Sequence, residues 1–357
     1  MGTNQGDTMN LRTWLGTFTL FAVACSGPSS TRPQHGDAGS TSSHDANAND
    51  ANANDAGPCL SIQGAVFAID TLYFGDLDWD GREDNSAWML FGSNLDGLDS
   101  NASPQNHCQP AAGASPESVY TDGKNGIDNS FGKTIVPLLA SVSPSFSSRV
   151  NDAIANGVYS WLFKLDPFDA KEASVSTKVF AADSLENLPS FDGTDCWPIA
   201  RSSLNDVSDI ESATVSFPGS KLVQGQLTTS SLNSFQLTVP ISGTTLVLTA
   251  HHAKIEITFE DDPSASSRGR LSGIVDTEEF IEEARDVLGF MNPDMCSGPA
   301  FESVATSIRR ASDIMKDGTQ DPASTCNGIS IGLGFTMTRA GIRGVGPAIE
   351  AGVDPCP

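Results

Sequence analysis

The residues best spaced for chemistry are Asp76-Leu77-Asp78-Trp79-Asp80-Gly81-Arg82-Glu83-Asp84-Asn85. Carboxylates at loop positions one, three, five and nine can converge on one cation. Gly81 at position six permits the sharp turn, and the Arg82 carbonyl at position seven can face inward. Calcium takes about six to eight oxygen ligands, and this spacing supplies most of them. The expected ligands are Asp76, Asp78, Asp80, Arg82 through its carbonyl, and Asp84. Position twelve is Ala87 instead of a bidentate Glu, and position eight is Glu83 instead of an aliphatic residue, so the expected affinity is modest. The competing reading is an Asp-rich surface turn.

The spacing resembles EF-hand, dockerin and thrombospondin type 3 calcium loops. Other motifs carry less. Asp122-Gly123-Lys124-Asn125-Gly126-Ile127-Asp128-Asn129-Ser130 lacks the alternating carboxylates and reads as a turn leading into a helix capped by Asn129 or Ser130. Gly328-Ile329-Ser330-Ile331-Gly332 spells a nucleophile elbow, but its alternation runs straight on to Met337 and no His follows His252, so a hydrolase order fails. Gly126 to Thr134 misses the P-loop by one residue, and Lys133 reads as a surface residue. On a strand His251 and His252 point to opposite faces, which suits one buried and one exposed imidazole better than a shared ion. Trp197, in Asp192-Gly193-Thr194-Asp195-Cys196-Trp197, reads as a core plug beside a disulfide sooner than a sugar platform.

Several elements must position these residues. Leu60 to Phe74, Val158 to Phe163 and Ala173 to Phe180 have strand character. Between Ala213 and Asp261, Phe235, Leu237 and Val239 alternate with polar residues, as do Ile255, Ile257 and Phe259, giving sheets with one wet face. Thr134 to Val150 has helical spacing. Asp276 and Glu279 form a helix-start signal ahead of the stripe Phe280, Ile281, Ala284, Val287 and Leu288. A second stripe runs from Phe301 through Val304, Ala305 and Ile308 to Met315. Ile329 to Met337 is a last strand. The expected class is α+β, β-dominant, with antiparallel sheets and a few packed helices; a sandwich is one such arrangement.

The front of the chain reads as an export signal. Trp14 to Ala24 is too short to cross a bilayer but suits a signal-peptide core, and Met9 is a better initiator than Met1. Ala22-Val23-Ala24-Cys25 has the small residues of a lipobox. The expectation is a signal peptide over 1–24, lipid on Cys25, and a tether over 25–58. The Ser, Asn, Asp, Ala and Gly of that tether cannot bury enough apolar surface to fold. Its reach is roughly 30–35 Å. Ser26 points to the outer membrane. A folded extracytoplasmic part follows over 59–357, conceivable as two lobes meeting near 200.

A net charge of −24 with no basic run excludes nucleic acid as a partner. With Cys25 given to lipid, Cys59, Cys108, Cys196, Cys296, Cys326 and Cys356 remain. An even number in an oxidising compartment reads as three disulfides. Their spacing leaves the pairing open. Cys296–Cys326 is the simplest choice, since the two flank a single predicted helix.

The stretches Gly126-Ile127-Asp128-Asn129-Ser130-Phe131-Gly132, Asp192 to Trp197 and Ile329-Ser330-Ile331-Gly332-Leu333-Gly334-Phe335 resemble those of uncharacterised lipoproteins of myxobacterial type. That resemblance supports the anchor and tether and implies no catalytic residue. Three functions stay open: a non-enzymatic, calcium-binding display domain anchored to the membrane through Cys25, with a protein or glycan partner; a calcium-dependent glycan hydrolase using carboxylates among Glu256, Glu260, Asp261 and Asp262; and a carrier of an apolar ligand.

Overall fold

The computed structural model describes residues 58–100, 104–168, 172–241, 243–260, 266–348 and 355–356. Residues 1–57, with the expected signal peptide, Cys25 and nearly all of the tether, lie outside the described residues, as do Asp261 and Asp262. The described strands are β1 (Ala65–Tyr73), β2 (Ser160–Asp166), β3 (Glu172–Ala182), β4 (Cys196–Ile199), β5 (Val215–Val223), β6 (Gln226–Thr228), β7 (Leu232–Ile241), β8 (Thr244–Thr258), β9 (Ser267–Asp276) and β10 (Gly328–Val345). The α-helices are α1 (Pro116–Tyr120), α2 (Val136–Val142), α3 (Phe146–Ala155), α4 (Thr277–Met291) and α5 (Pro299–Arg309). The class is α+β and β-dominant, as expected.

The strand pairings close on themselves. Following antiparallel neighbours gives β1–β2–β3–β5–β6–β8–β9–β10 and back to β1. These eight strands thus form one closed sheet in which each is paired on both sides. Strands from both sides of residue 200 belong to it. β7 extends β6 along the first part of β8. β4 lies parallel to the end of β10 and also bridges to β3.

This second linkage gives β1, β2 and β3 two buried faces. Ala65, Phe67 and Ile69 enter the main core, while Val66 and Ala68 enter a smaller one with Leu162, Phe180, Trp197 and Ile342. That is why β1 reads as a continuous apolar run and not as an alternating one. The main core fills the interior with Phe163, Phe217, Leu271, Leu333 and Phe335. The Phe335 ring lies over Gly269, its cross-strand partner; a Cβ there would sit 2.1 Å from the ring.

A β-bulge at His251–His252 explains the pattern of β8. Leu246, Leu248 and Ala250 point inward before it, and Ala253, Ile255 and Ile257 after it. One extra residue flips the parity so that both halves serve one core. His251 is half-buried, with Nε2 3.2 Å from Glu279, and His252 is exposed. The helices close over the core: α3 through Phe146, Val150 and Ile154, α4 through Phe280, Ile281 and Val287, and α5 through Phe301, Ala305 and Ile308. Asp276 caps α4 by accepting from the Glu278 and Glu279 amides.

Three disulfides brace the fold: Cys59–Cys196, Cys108–Cys326 and Cys296–Cys356. The expected Cys296–Cys326 pairing is therefore wrong. Cys356 packs against α4, where a Cβ on Gly289 would meet its sulfur at 2.2 Å, and so reaches Cys296 just beyond the helix. Cys326 instead ties down the loop that carries Cys108. No helix among the described residues is long and apolar enough to cross a membrane.

Candidate functional site

The acidic loop is a small hairpin projecting after β1. The Asp78 amide donates to the Arg82 carbonyl at 2.9 Å, and the Asp84 amide to the Asp76 carbonyl at 2.9 Å. Asp78 Oδ1 accepts from the Asp80 and Arg82 amides, each at 2.9 Å. This turns the carboxylate back into its own loop. The Arg82 guanidinium lies 2.7 Å from Asp80, and Asp84 accepts from the Ser86 amide and hydroxyl. The Ser86 hydroxyl first, and then its amide, hold the Asp84 carboxyl below its ordinary pKa. Asp76 Oδ1 is buried and has no hydrogen-bond partner. Among the described residues no three His, Cys, Asp or Glu side chains are gathered as a finished metal centre. The loop turns Asp78, Asp80 and Asp84 to three different neighbours and leaves Asp76 Oδ1 with none.

Trp79 leaves this loop sideways and packs on Tyr73 and Phe91, at 5.1 Å and 4.8 Å between ring centroids. It forms one wall of an open groove of about 530 Å³ whose floor is the outer face of β6, β8 and β9. Glu256, Glu260, Arg268 and Arg270 project into it beside Gln226, Thr228 and Thr258. Glu256 is paired with Lys254 at 2.6 Å and its side chain is 39% exposed; Glu260 is exposed. The two arginines drew no notice in the sequence. Their signal was an Arg-Gly-Arg alternation on a strand, in a chain with 20 basic residues against 44 acidic ones.

The Asp122–Ser130 segment has a different role from that of a metal loop. Asn129 Nδ2 donates to the carbonyls of Trp88, Phe91 and Gly332, and its Oδ1 accepts from the Gly132 and Gly332 amides. The expected helix cap is thus also a clamp joining three chain segments. Gly332 and Gly334 let that clamp lie flat on β10: Cβ atoms there would approach the Phe91 carbonyl oxygen at 2.3 Å and its ring at 2.4 Å. Ser330 is fully buried, donates to Asp313 and accepts from the Ser130 amide, so it is a structural serine. Lys133 is half-buried and not a surface residue. Its ammonium donates to the Ser118 and Thr121 carbonyls at the end of α1.

Asp122 and Asp128 of this segment lie close to Asp96, and Asp122 to His107. His107 Nε2 stands 3.9 Å from Asp96, both nearly inaccessible. Burial, followed by the charges of Asp96, Asp313 and Asp122, raises Asp128 to about 9. Burial is also the main cause that raises Asp313, to about 7. Trp197 is fully buried next to the Cys59–Cys196 bridge, as a core plug. An apolar crevice under α2, α4 and α5 has about 30 Å³ of room, lined by Leu138, Leu246, Phe280 and Ile308. That holds on the order of one water, too little for an apolar ligand.

No known protein family, curated protein or solved structure matches the chain.

Proposed function

We propose that the chain is an exported lipoprotein, anchored through lipid on Cys25, whose disulfide-braced domain is a calcium-stiffened binding module with no catalytic role. Ala22-Val23-Ala24-Cys25 and the Asn/Asp/Ala tether support the anchor, and Ser26 supports the outer membrane as its location. The observation that carries the calcium reading is Asp76 Oδ1. A buried carboxylate oxygen with no partner costs free energy unless something neutralises it, and it sits at position one of a loop with calcium-ligand spacing. Calcium there would be held by Asp76, Asp78, Asp80 and Asp84 with the Arg82 carbonyl, and would supply positive charge where four carboxylates now share one turn.

The hydrolase alternative places Glu256 and Glu260 in the groove. A general acid for glycosides needs a carboxyl shielded from water, whereas Glu256 is solvated and ion-paired and Glu260 is exposed. The groove therefore favours binding over hydrolysis.

Two experiments test the proposal. Cys25→Ala should remove acylation and release the protein from membranes; a variant that still sediments with them, at the mass of the parent, contradicts the anchor. Calorimetric titration with calcium should show one site in the parent and none in Asp76→Asn; equal heats from both would remove the loop from the account.

A further inference from the structure

The groove beside the acidic loop has a recognition chemistry of its own. Arg268 and Arg270 stand two residues apart on β9 and so share its outer face, while Leu271 turns inward. Among the described residues neither guanidinium has a carboxylate within 4.0 Å; the ion pairs of the fold lie elsewhere. The carboxylate directly across from Arg270 in the strand register is Glu256, and it is taken by Lys254 at 2.6 Å. Among the described residues both cations face the same open groove, and no described carboxylate is paired with either.

Arg268 is also held in place. Its guanidinium lies 5.4 Å from the centroid of the Trp79 ring, and that ring is wedged by Tyr73 and Phe91. A cation–π contact uses the aromatic face and leaves the N–H donors free. The side chain is therefore ordered before any ligand arrives, which lowers the entropic cost of binding. Arginine presents a planar fork that matches a carboxylate or sulfate.

We propose that this groove is an oxyanion-binding site for a short acidic saccharide, with Arg268 and Arg270 receiving its carboxylate. Its size falls within the range of about 300–1,000 Å³ typical of small-ligand sites. The amide of Gln226 and the hydroxyls of Thr228 and Thr258 suit sugar hydroxyls, and Glu256 and Glu260 accept hydroxyl donors at the margin. The field of a strongly acidic protein repels polyanions such as nucleic acid or an anionic bilayer, which leaves a short ligand with local negative charge. The inference deepens the binding role proposed above. It couples to the calcium reading through Trp79, which lies between Asp78 and Asp80.

The test is calorimetric titration of the purified full chain with galacturonic acid trimer, neutral galactose trimer and inorganic sulfate, in excess calcium and in chelator. The acidic trimer should bind at least about tenfold more tightly than the neutral one, as expected for charge-assisted hydrogen bonds. Arg268→Ala and Arg270→Ala should each weaken it about tenfold or more, and Arg270→Lys by less. Sulfate should compete with the trimer at lower affinity. Absence of acidic-trimer binding, equal binding of the neutral trimer, or indifference to both arginine substitutions overturns the proposal. Sulfate binding as tight as the trimer overturns its saccharide component. Failure of the calcium reading is distinct: trimer affinity would be the same in calcium and in chelator while its dependence on the arginines remained.

Discussion

Replacing Asn129 with Asp exchanges the Nδ2 nitrogen for an oxygen, removes its two hydrogens and keeps the shape of the clamp. The side chain is buried, and its Nδ2 faces the carbonyls of Gly332, Trp88 and Phe91 at 3.0, 3.1 and 3.2 Å. A carboxylate would still accept from the Gly132 and Gly332 amides but would set an oxygen against those three carbonyls. A buried polar group stripped of its partner costs about 1–3 kcal/mol, so losing two N–H donors should cost about 2–6 kcal/mol. That is a large share of the roughly 5–15 kcal/mol of a typical domain. The penalty must also depend on pH. Burial raises the introduced carboxyl above its unfolded value of about 3.9. The protonated form, which restores one donor, is favoured below that value, and its contribution is lost as pH rises through the raised folded value. Denaturant unfolding with disulfides intact, read as the midpoint at constant m-value, should show N129D far below the parent at pH 8 and less so at pH 4. A variant within about 0.5 kcal/mol of the parent, or a penalty that shrinks as pH rises, would refute the clamp.

Three further outcomes are expected. The Asp128 carboxyl, raised from 3.8 to about 9, contributes stability that is full below pH 3.8 and lost progressively as pH rises to about 9; Asp128→Asn should flatten that part of the stability–pH curve, and an unchanged slope contradicts its burial. Gly332→Ala drives a Cβ to within 2.3 Å of the Phe91 carbonyl oxygen and should cost about 1–3 kcal/mol or more by overpacking, measured by the same unfolding assay; a neutral effect contradicts the contact. Peptide mapping without reduction should recover Cys59–Cys196, Cys108–Cys326 and Cys296–Cys356, and any Cys296–Cys326 peptide contradicts the fold.

Local signals in the chain were readable where local physics decides the structure. Asp276 starts α4 because its carboxylate meets two free amides, and β7 alternates because one of its faces is wet. Partnerships over long separations were not readable. Closure through β3 and β5, and the double burial of β1, depend on which strands meet, and no spacing encodes that. The stripe ending at Met315 suggested a longer helix. The chain leaves α5 after Arg309 because Thr277 bonds Ser312, and Asp313 accepts from the Ser330 amide and hydroxyl. The Thr134–Val150 helix is likewise two helices, broken near Ser143 and restarted after Ser145, whose φ is 61°. In the candidate site, the acidic loop was visible as spacing. The groove was invisible, because Trp79 and Arg268 meet only once the barrel has closed.

The central claim, a domain stiffened by calcium at Asp76, Asp78, Asp80 and Asp84, is tested most directly by thermal unfolding in chelator and in millimolar calcium. Binding to the folded state alone adds about 2.7 kcal/mol when calcium exceeds its dissociation constant a hundredfold. The parent should unfold a few degrees higher in calcium, magnesium should restore little of the shift, and Asp78→Ala with Asp80→Ala should abolish it. An unfolding midpoint in the unmutated protein that is identical in chelator and in calcium contradicts the account.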